Sequence, residues 1–363
     1  MLTQPDFRVQ NCTRYRFRYS ECRACADACP HNAIALSDEG IAISETDCRN
    51  CALCGAACPV EALTARNLPR IDILKRALRL KQVTFACAPS EARGEETVPC
   101  LGALDAALLA TLAAKGVAVA LAGTHHCEKC PHGEVAARMI ASHLEGVAAL
   151  RETVGSETWA AITIVEAEAT QAEERPHDPS RRHLFRRFLG RSADGMAEAV
   201  VGAGRQPVPL KAVRFAAPFS TIGRELLQRL FAAAPEDAPA LPRHDAVFAA
   251  GVEIAPGCSA CEVCARACPT GAMQIAESGV GWALTFQFSR CVACGLCLEA
   301  CQPRILRFAD RMGDLRKARD SVTLHALAKQ RCSRCDRFFI SAGPAEICAI
   351  CAGDDADFAA IFG

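Results

Sequence analysis

The chain has 363 residues, 41 basic and 41 acidic side chains and a formal net charge of +0. Its length allows about two to four domains, and the balanced charge argues against a general nucleic-acid partner. Half of the residues are hydrophobic, aromatics are scarce at 6%, and there are 24 cysteines, far too many for ordinary usage in a chain too long for a short secreted scaffold. Met1 to Ser20 carries no apolar core or cleavage pattern, so no secretory signal is expected. The apolar stretch from Leu101 to Gly123 is broken by Asp105 and Lys115 and turns at Gly116, so it reads as helix then strand, and no transmembrane segment is expected. A reducing, cytoplasmic setting suits so many thiols.

In chain order, the first feature is a cysteine-rich block at residues 1–68. Its second half is Cys48-x2-Cys51-x2-Cys54-x3-Cys58-Pro59; its first half is Cys22-x2-Cys25-x3-Cys29-Pro30, with Tyr19 where a leading cysteine is expected. In bacterial C-x2-C-x2-C-x3-C-P runs three cysteines wrap one [4Fe–4S] cluster and the fourth reaches the other. The inferred sites are Cys12, Cys22, Cys25 with Cys58, and Cys48, Cys51, Cys54 with Cys29, with Cys12 supplied across a longer loop. A three-iron cluster with Cys12 free, or a non-cysteine ligand, is the alternative. Arg14-Tyr-Arg-Phe-Arg18 is read as a strand that screens the first cluster and not as a single-strand nucleic-acid binder.

Residues 70–168 change pattern. Strands are predicted at Gln82–Ala86, Val117–Leu121 and Ala161–Val165, with helices at Leu104–Ala114 and Glu134–Leu144, which implies a small parallel sheet. Cys87, Cys100, Cys127 and Cys130 all fall beyond strand ends, where open α/β sheets place ligands. His125, His126 and His132 flank the last pair and are read as contacts around the site, four cysteines being enough ligands. The stretch Cys100-Leu-Gly-x-Leu-Asp105, with Gly123-Thr-His-His-Cys-Glu-Lys-Cys130, resembles the iron–sulfur (delta) subunit of hydrogenases associated with heterodisulfide reductase. That resemblance implies a [2Fe–2S] centre in an electron-transfer assembly. Thr124 stands where that family usually has Cys and the last spacing is shifted, so zinc stays open as the second choice.

Residues 169–254 contain no cysteine and are read as a linker. Within it Arg181–Arg191 reads as a basic amphipathic helix, with Leu184, Phe185, Phe188 and Leu189 on one face, fit for an acidic partner, a membrane surface or its own core. Its Arg-Arg-x-x-Phe pattern is similar to stretches in ferredoxin-like accessory proteins of molybdenum enzymes. Gly202 and Gly204 do not make a dinucleotide site, because the third glycine is missing and Pro207 and Pro209 forbid the following helix.

Residues 255–310 repeat the first block: Cys258-x2-Cys261-x2-Cys264-x3-Cys268-Pro269, then Cys291-x2-Cys294-x2-Cys297-x3-Cys301, where proline comes one place late at Pro303. The inferred sites are Cys258, Cys261, Cys264 with Cys301, and Cys291, Cys294, Cys297 with Cys268. Cys-Pro-x-x-Ala-hydrophobic recurs at Cys29–Ile34, Cys58–Leu63 and Cys268–Met273, and Gly40 and Gly279 mark hairpin turns. Together residues 12–66 and 255–308 resemble the two-cluster bacterial ferredoxin family, twice over. Four clusters with their sixteen thiolates add about −8 to the formal charge. Arg23, Arg49, Arg266 and Arg290 lie in or beside the cysteine loops and are expected to raise potentials.

The tail, 325–363, carries Cys332-x2-Cys335-x12-Cys348-x2-Cys351, a zinc-ribbon-like knuckle pair. Rubredoxin-type iron is the alternative, although Asp336 replaces its usual glycine. The expected fold class is therefore α+β multidomain: two ferredoxin-like dicluster modules, a small α/β parallel-sheet domain between them and a C-terminal ribbon. No nucleophile–base constellation is visible. The expected function is electron transfer through about four [4Fe–4S] clusters, with a partner oxidoreductase of hydrogenase, heterodisulfide-reductase-like or formate dehydrogenase type. The second reading is an accessory or maturation protein of a molybdenum oxidoreductase such as formate dehydrogenase.

Overall fold

The computed structural model describes residues 4–37, 40–155, 159–165, 213–279, 281–312 and 315–354. The basic stretch 181–191 and the glycines near 202 lie outside the described residues.

The two cysteine-rich blocks share one plan. In the first, Asp6–Phe7 pairs antiparallel with Leu63–Thr64, and Ile34–Ser37 forms a hairpin with Gly40–Ile43. In the second, Val252–Ile254 pairs with Leu306–Phe308, and Met273–Glu277 pairs with Gly281–Gln287. Each block also holds two short helices, Ala24–Asp27 with Leu53–Ala56 and Val263–Ala267 with Leu296–Glu299. Apolar side chains are few, so small cores form around the thiols: Tyr15, Ile34, Ile41, Val60 and Leu63 pack with Cys12, Cys25, Cys54 and Cys58.

Between them a four-stranded sheet, all parallel, runs in the order Glu96–Val98, Gln82–Cys87, Ala118–Ala122, Ile162–Val165. The helix Ala106–Ala114 is apolar nearly all round, and a helix of that kind must be covered on every side. It is: Leu108, Leu109 and Leu112 are at most 2% exposed, and each such side chain contributes about 1.5–3 kcal/mol. Asp105 caps it, accepting from Leu108 N at 3.1 Å. The helix predicted to stop at Leu144 runs on, Gly133–Val154, and ends at Gly155, whose φ of 47° is open to glycine.

Three readings change. Arg14–Arg18 is not a strand: Thr13–Arg16 is a short helix and Phe17 alone bridges to Val213. Of the stretch read as a linker, the described residues 213–254 include the helix Ile222–Ala232, which sends Leu226, Leu227, Leu230 and Phe231 into the central core. The strand Ser321–Arg331 crosses position 325 and pairs with Gly281–Gln287 on one side and Phe338–Ser341 on the other, so the tail's hairpin continues the second module's sheet.

One buried polar joint ties these parts together. Arg70 Nη1 reaches Glu61 Oε1 at 2.6 Å and its Nη2 reaches Asp105 Oδ2 at 2.6 Å. Glu61 also accepts from Ile222 N and Gly223 N, both at 2.9 Å, at the start of the helix Ile222–Ala232. A carboxylate there satisfies free N–H groups and the positive end of the helix dipole.

Candidate metal centres

Local backbone conformation explains why the cysteine loops close on themselves. In each complete C-x2-C-x2-C run the residues just before and just after the middle cysteine have positive φ: Asn50 and Ala52 around Cys51, Ala260 and Glu262 around Cys261, Ala293 and Gly295 around Cys294. Alternating right- and left-handed residues turn successive N–H groups into one concavity, a nest that favours an anion. Each left-handed non-glycine residue costs of order 1–3 kcal/mol, a strain kept where function needs it. The edited Cys22–Cys25 loop lacks the pattern, Arg23 having φ −126°. A second left-handed residue follows each fourth cysteine by three places, at Asn32, Glu61, Gly271 and Arg304. Arg304 shows that the late Pro303 leaves this exit turn intact. Backbone N–H groups then reach back to sulfur, Ala33 N to Cys29 Sγ and Ala62 N to Cys58 Sγ, each at 3.3 Å.

The structure brings the thiols of the spaced motifs near one another, within the expected groups and between them. Cys12 and Cys25 lie within electrostatic reach of Cys22 and Cys58. Tyr19, at the nominal leading position, is 66% exposed and turned away from any such role. Cys51 and Cys54 lie near Cys29 and Cys48, and these four residues line one small cavity. Cys264 faces Cys258, Cys261 and Cys301. Cys291, Cys294 and Cys297 lie near Cys268, and these four line a small cavity. Burial pushes Cys12, Cys25 and Cys264 up to about 12, and Cys294 and Cys297 far above the usual thiol range. Buried thiols held this way become thiolates when a bound metal supplies the positive charge. The nests and the clustered thiols fit an iron–sulfur centre.

The quartet of the parallel-sheet domain also converges. Cys87 ends the strand Gln82–Cys87, Cys100 follows Glu96–Val98, and Cys127 with Cys130 follow Ala118–Ala122. Cys100 faces Cys87 and Cys127, and Cys87 faces Cys130. Burial raises Cys100 to about 12. Gly123, at φ 101°, lets the loop pass over Cys87 and Ser90, where a Cβ would meet Ser90 Oγ. His125 is exposed. His132 is buried and stacks edge-on against His31 at 4.9 Å, so it bridges to the first module.

Among the described residues, Cys332, Cys335, Cys348 and Cys351 are the group whose ligand atoms all lie within 4.8 Å of one another. Cys335 Sγ and Cys348 Sγ are 3.8 Å apart. Tetrahedral bonds of about 2.3 Å to one metal ion set sulfurs about 3.8 Å apart. The tail quartet is thus drawn to the size of a single ion. Among the described residues no other cysteine quartet is drawn that tight. Backbone N–H groups at Cys335 and Cys348 pull Cys332 down to about 6, while burial and the neighbouring sulfurs push Cys351 up to about 12. Asp336 takes the left-handed turn, φ 61°, where glycine was expected, a conformation aspartate tolerates.

The quartets also stand in an order that spacing does not reveal. Cys100 packs with Cys51 and Leu53, joining the middle quartet to that of Cys29, Cys48, Cys51 and Cys54. Gly102 makes this contact close: a Cβ there would sit 2.9 Å from Leu53 Cδ2 and 3.0 Å from Ala136 O. Cys54 faces Cys25 of the next quartet. Val292 and Cys294 pack into the first module's core, and Cys294 faces Cys22. Cys297 in turn faces Cys264. The sequence of neighbours is therefore middle quartet, Cys48 group, Cys12 group, Cys291 group, Cys258 group, ending at the exposed Cys261.

The arginines chosen from sequence prove to be surface groups. Arg23 pairs with Asp27 and Arg266 with Glu262, and Arg49 and Arg290 are exposed. Their charge is screened or cancelled. The buried arginines, Arg16 and Arg224, were missed; each is 2% exposed.

A family model described as the 4Fe-4S dicluster domain matches residues 20–62 and 257–305. Its first match begins after Cys12, and neither match touches the parallel-sheet domain or the tail. No curated protein matches the chain. Among the described residues no helix is long and apolar enough to cross a membrane. The two 4Fe-4S dicluster domains and the many grouped cysteines support an iron–sulfur electron-transfer protein that works with a redox partner.

Proposed function

We propose that the chain is a relay that passes single electrons along five centres in line. Four are [4Fe–4S] sites: Cys12, Cys22, Cys25, Cys58; Cys29, Cys48, Cys51, Cys54; Cys268, Cys291, Cys294, Cys297; and Cys258, Cys261, Cys264, Cys301. The fifth, at Cys87, Cys100, Cys127 and Cys130, is a [2Fe–2S] site, a choice that rests on the resemblance of this domain to the hydrogenase delta subunit, with zinc as the second choice. Such centres supply reversible one-electron chemistry at potentials set by charge, hydrogen bonds and solvent. The protein's part is to space them, exclude water and aim N–H groups at sulfur. The observation that carries the proposal is the unbroken neighbour sequence from Cys100 through Cys51, Cys54, Cys25, Cys22, Cys294 and Cys297 to Cys264.

The tail quartet is a structural zinc site, since its single-ion geometry sits on a hairpin that extends the second module's sheet. The resemblance of the parallel-sheet domain to the hydrogenase delta subunit favours a hydrogenase or heterodisulfide-reductase-like oxidoreductase as the partner at that end. Anaerobic protein reduced by a low-potential one-electron donor should show rapid, complete reoxidation by a one-electron acceptor. In a Cys100→Ser variant the middle centre alone should drop out. Iron-loaded protein that cannot be reduced and reoxidised in single-electron steps contradicts the relay.

A further inference from the structure

Arg16 and Arg224 are the two buried arginines of the described residues that meet no carboxylate. Arg224 Nε donates to Ser289 O at 2.7 Å and Nη2 to Phe288 O at 2.5 Å, both on the loop leading into Cys291. Its guanidinium lies over the Phe288 and Phe231 rings at 4.6 and 5.3 Å, and its Nη1 has no hydrogen-bond partner. Arg16 donates to Gln10 O at 2.9 Å and to Ala216 O and Ala217 O at 3.3 and 3.0 Å, and lies over Phe219 at 5.4 Å. Phe219 N donates to Pro269 O, the residue after Cys268. Two cations from separate parts of the chain thus converge on the loops of one quartet.

Burying a cation against carbonyls and rings alone is costly, and nature retains it where an opposite charge repays the desolvation. The opposite charges in reach are sulfurs: Cys291 for Arg224, and Cys268 and Cys294 for Arg16. Four thiolates around an oxidised [4Fe–4S] core carry a net double negative charge, which two guanidiniums balance. By contrast, no other arginine or lysine of the described residues is buried away from carboxylates, so the other three sites have no counter-charge of this kind.

We infer that Arg16 and Arg224 are the counter-charges of the centre at Cys268, Cys291, Cys294 and Cys297, and that they make it the highest-potential of the four [4Fe–4S] sites. This rests on the relay reading and adds to it where an electron pauses. A low-potential one-electron donor fills the line. The neighbouring centre at Cys12, Cys22, Cys25 and Cys58 is oxidised by one electron as this one is reduced by one, with no bond broken and no proton moved. The junction of the two modules is then the collecting point.

The test is a redox-poised EPR titration of the full anaerobic chain. In Arg224→Gln and Arg16→Gln the most positive midpoint should move negative by at least a tenfold change in reduced-to-oxidised ratio at fixed poise, about 59 mV for one electron. The double variant should move it further, Arg224→Lys should restore much of it, and the other three midpoints should hold. Independently, Cys294→Ser should remove or shift that same most positive wave, which needs no arginine variant to load. An unmoved top midpoint in loaded arginine variants, a shift that falls on another wave, or a Cys294→Ser change in a lower wave overturns the inference while leaving the relay intact. A wild-type chain with no reversible waves removes the relay and this inference with it.

Discussion

Replacing Arg70 with Met should loosen the joint that holds three parts of the chain together. The substitution keeps a stem of similar length and removes the charge that Glu61 and Asp105 share, at 2.6 Å each. Breaking a buried ion pair by deleting one partner costs about 3–5 kcal/mol, because the other charge stays buried. Glu61 retains two N–H donors and Asp105 retains one, so the low end, about 3 kcal/mol, is expected. At 1.4 kcal/mol per factor of ten, the amides of Ile222 and Gly223 should exchange with deuterium about a hundredfold faster. A global melting midpoint is the wrong readout for a chain of several domains with bound centres, so residue-level exchange under anaerobic conditions is the assay. Arg66→Met provides the control: its pair with Asp6 is half exposed on both sides and should leave those amides unchanged. The reasoning is refuted if Arg70→Met leaves exchange at Ile222 and Gly223 within threefold of wild type, or if Arg66→Met speeds it equally.

Cys12→Ala should lower iron by one to about four atoms per chain and alter a single EPR signal, whereas Tyr19→Ala should change neither. His143, buried on the helix Gly133–Val154 among Leu104, Asp105, Arg70 and His244, is held below the usual histidine range mainly by burial. The unfolded chain therefore takes up a proton first, so stability should be full above about pH 6.5 and fall below it, and His143→Phe should flatten that slope in pH-dependent amide exchange. Gly102→Ala forces a methyl against Leu53 and the Ala136 carbonyl and should cost about 1–3 kcal/mol, read as slowed electron passage between the middle centre and its neighbour. Cys332→Ser should release the tail's metal and raise exchange in Phe338–Ser341 without changing the iron count.

The ferredoxin-like regions were legible because their information is local. Three-residue spacings, the Cys-Pro exits and small residues dictate loop conformation within a single turn, and the left-handed positions at Asn50, Ala260 and Ala293 repeat with them. The parallel sheet was legible for the same reason, except the short edge strand Glu96–Val98, which follows a polar run and precedes a proline. The strand Ser321–Arg331 was not, because Leu-Ala-Lys-Gln-Arg prefers a helix and only pairing with Gly281–Gln287 overrides it. The order of the quartets depends on packing between residues far apart in the chain, such as Cys100 with Cys51, or Val292 with the first module's core. Arg224 lies far from any cysteine in the sequence and Arg16 looks no different there from Arg23; only packing brings both to the Cys291 group.

Metal and sulfide analysis of anaerobically purified protein tests the foundation directly. The relay requires about 18 iron atoms, sixteen in the four [4Fe–4S] sites and two in the middle centre, with matching sulfide and one zinc per chain. A colourless chain that binds zinc at every quartet, or no metal at all, contradicts it.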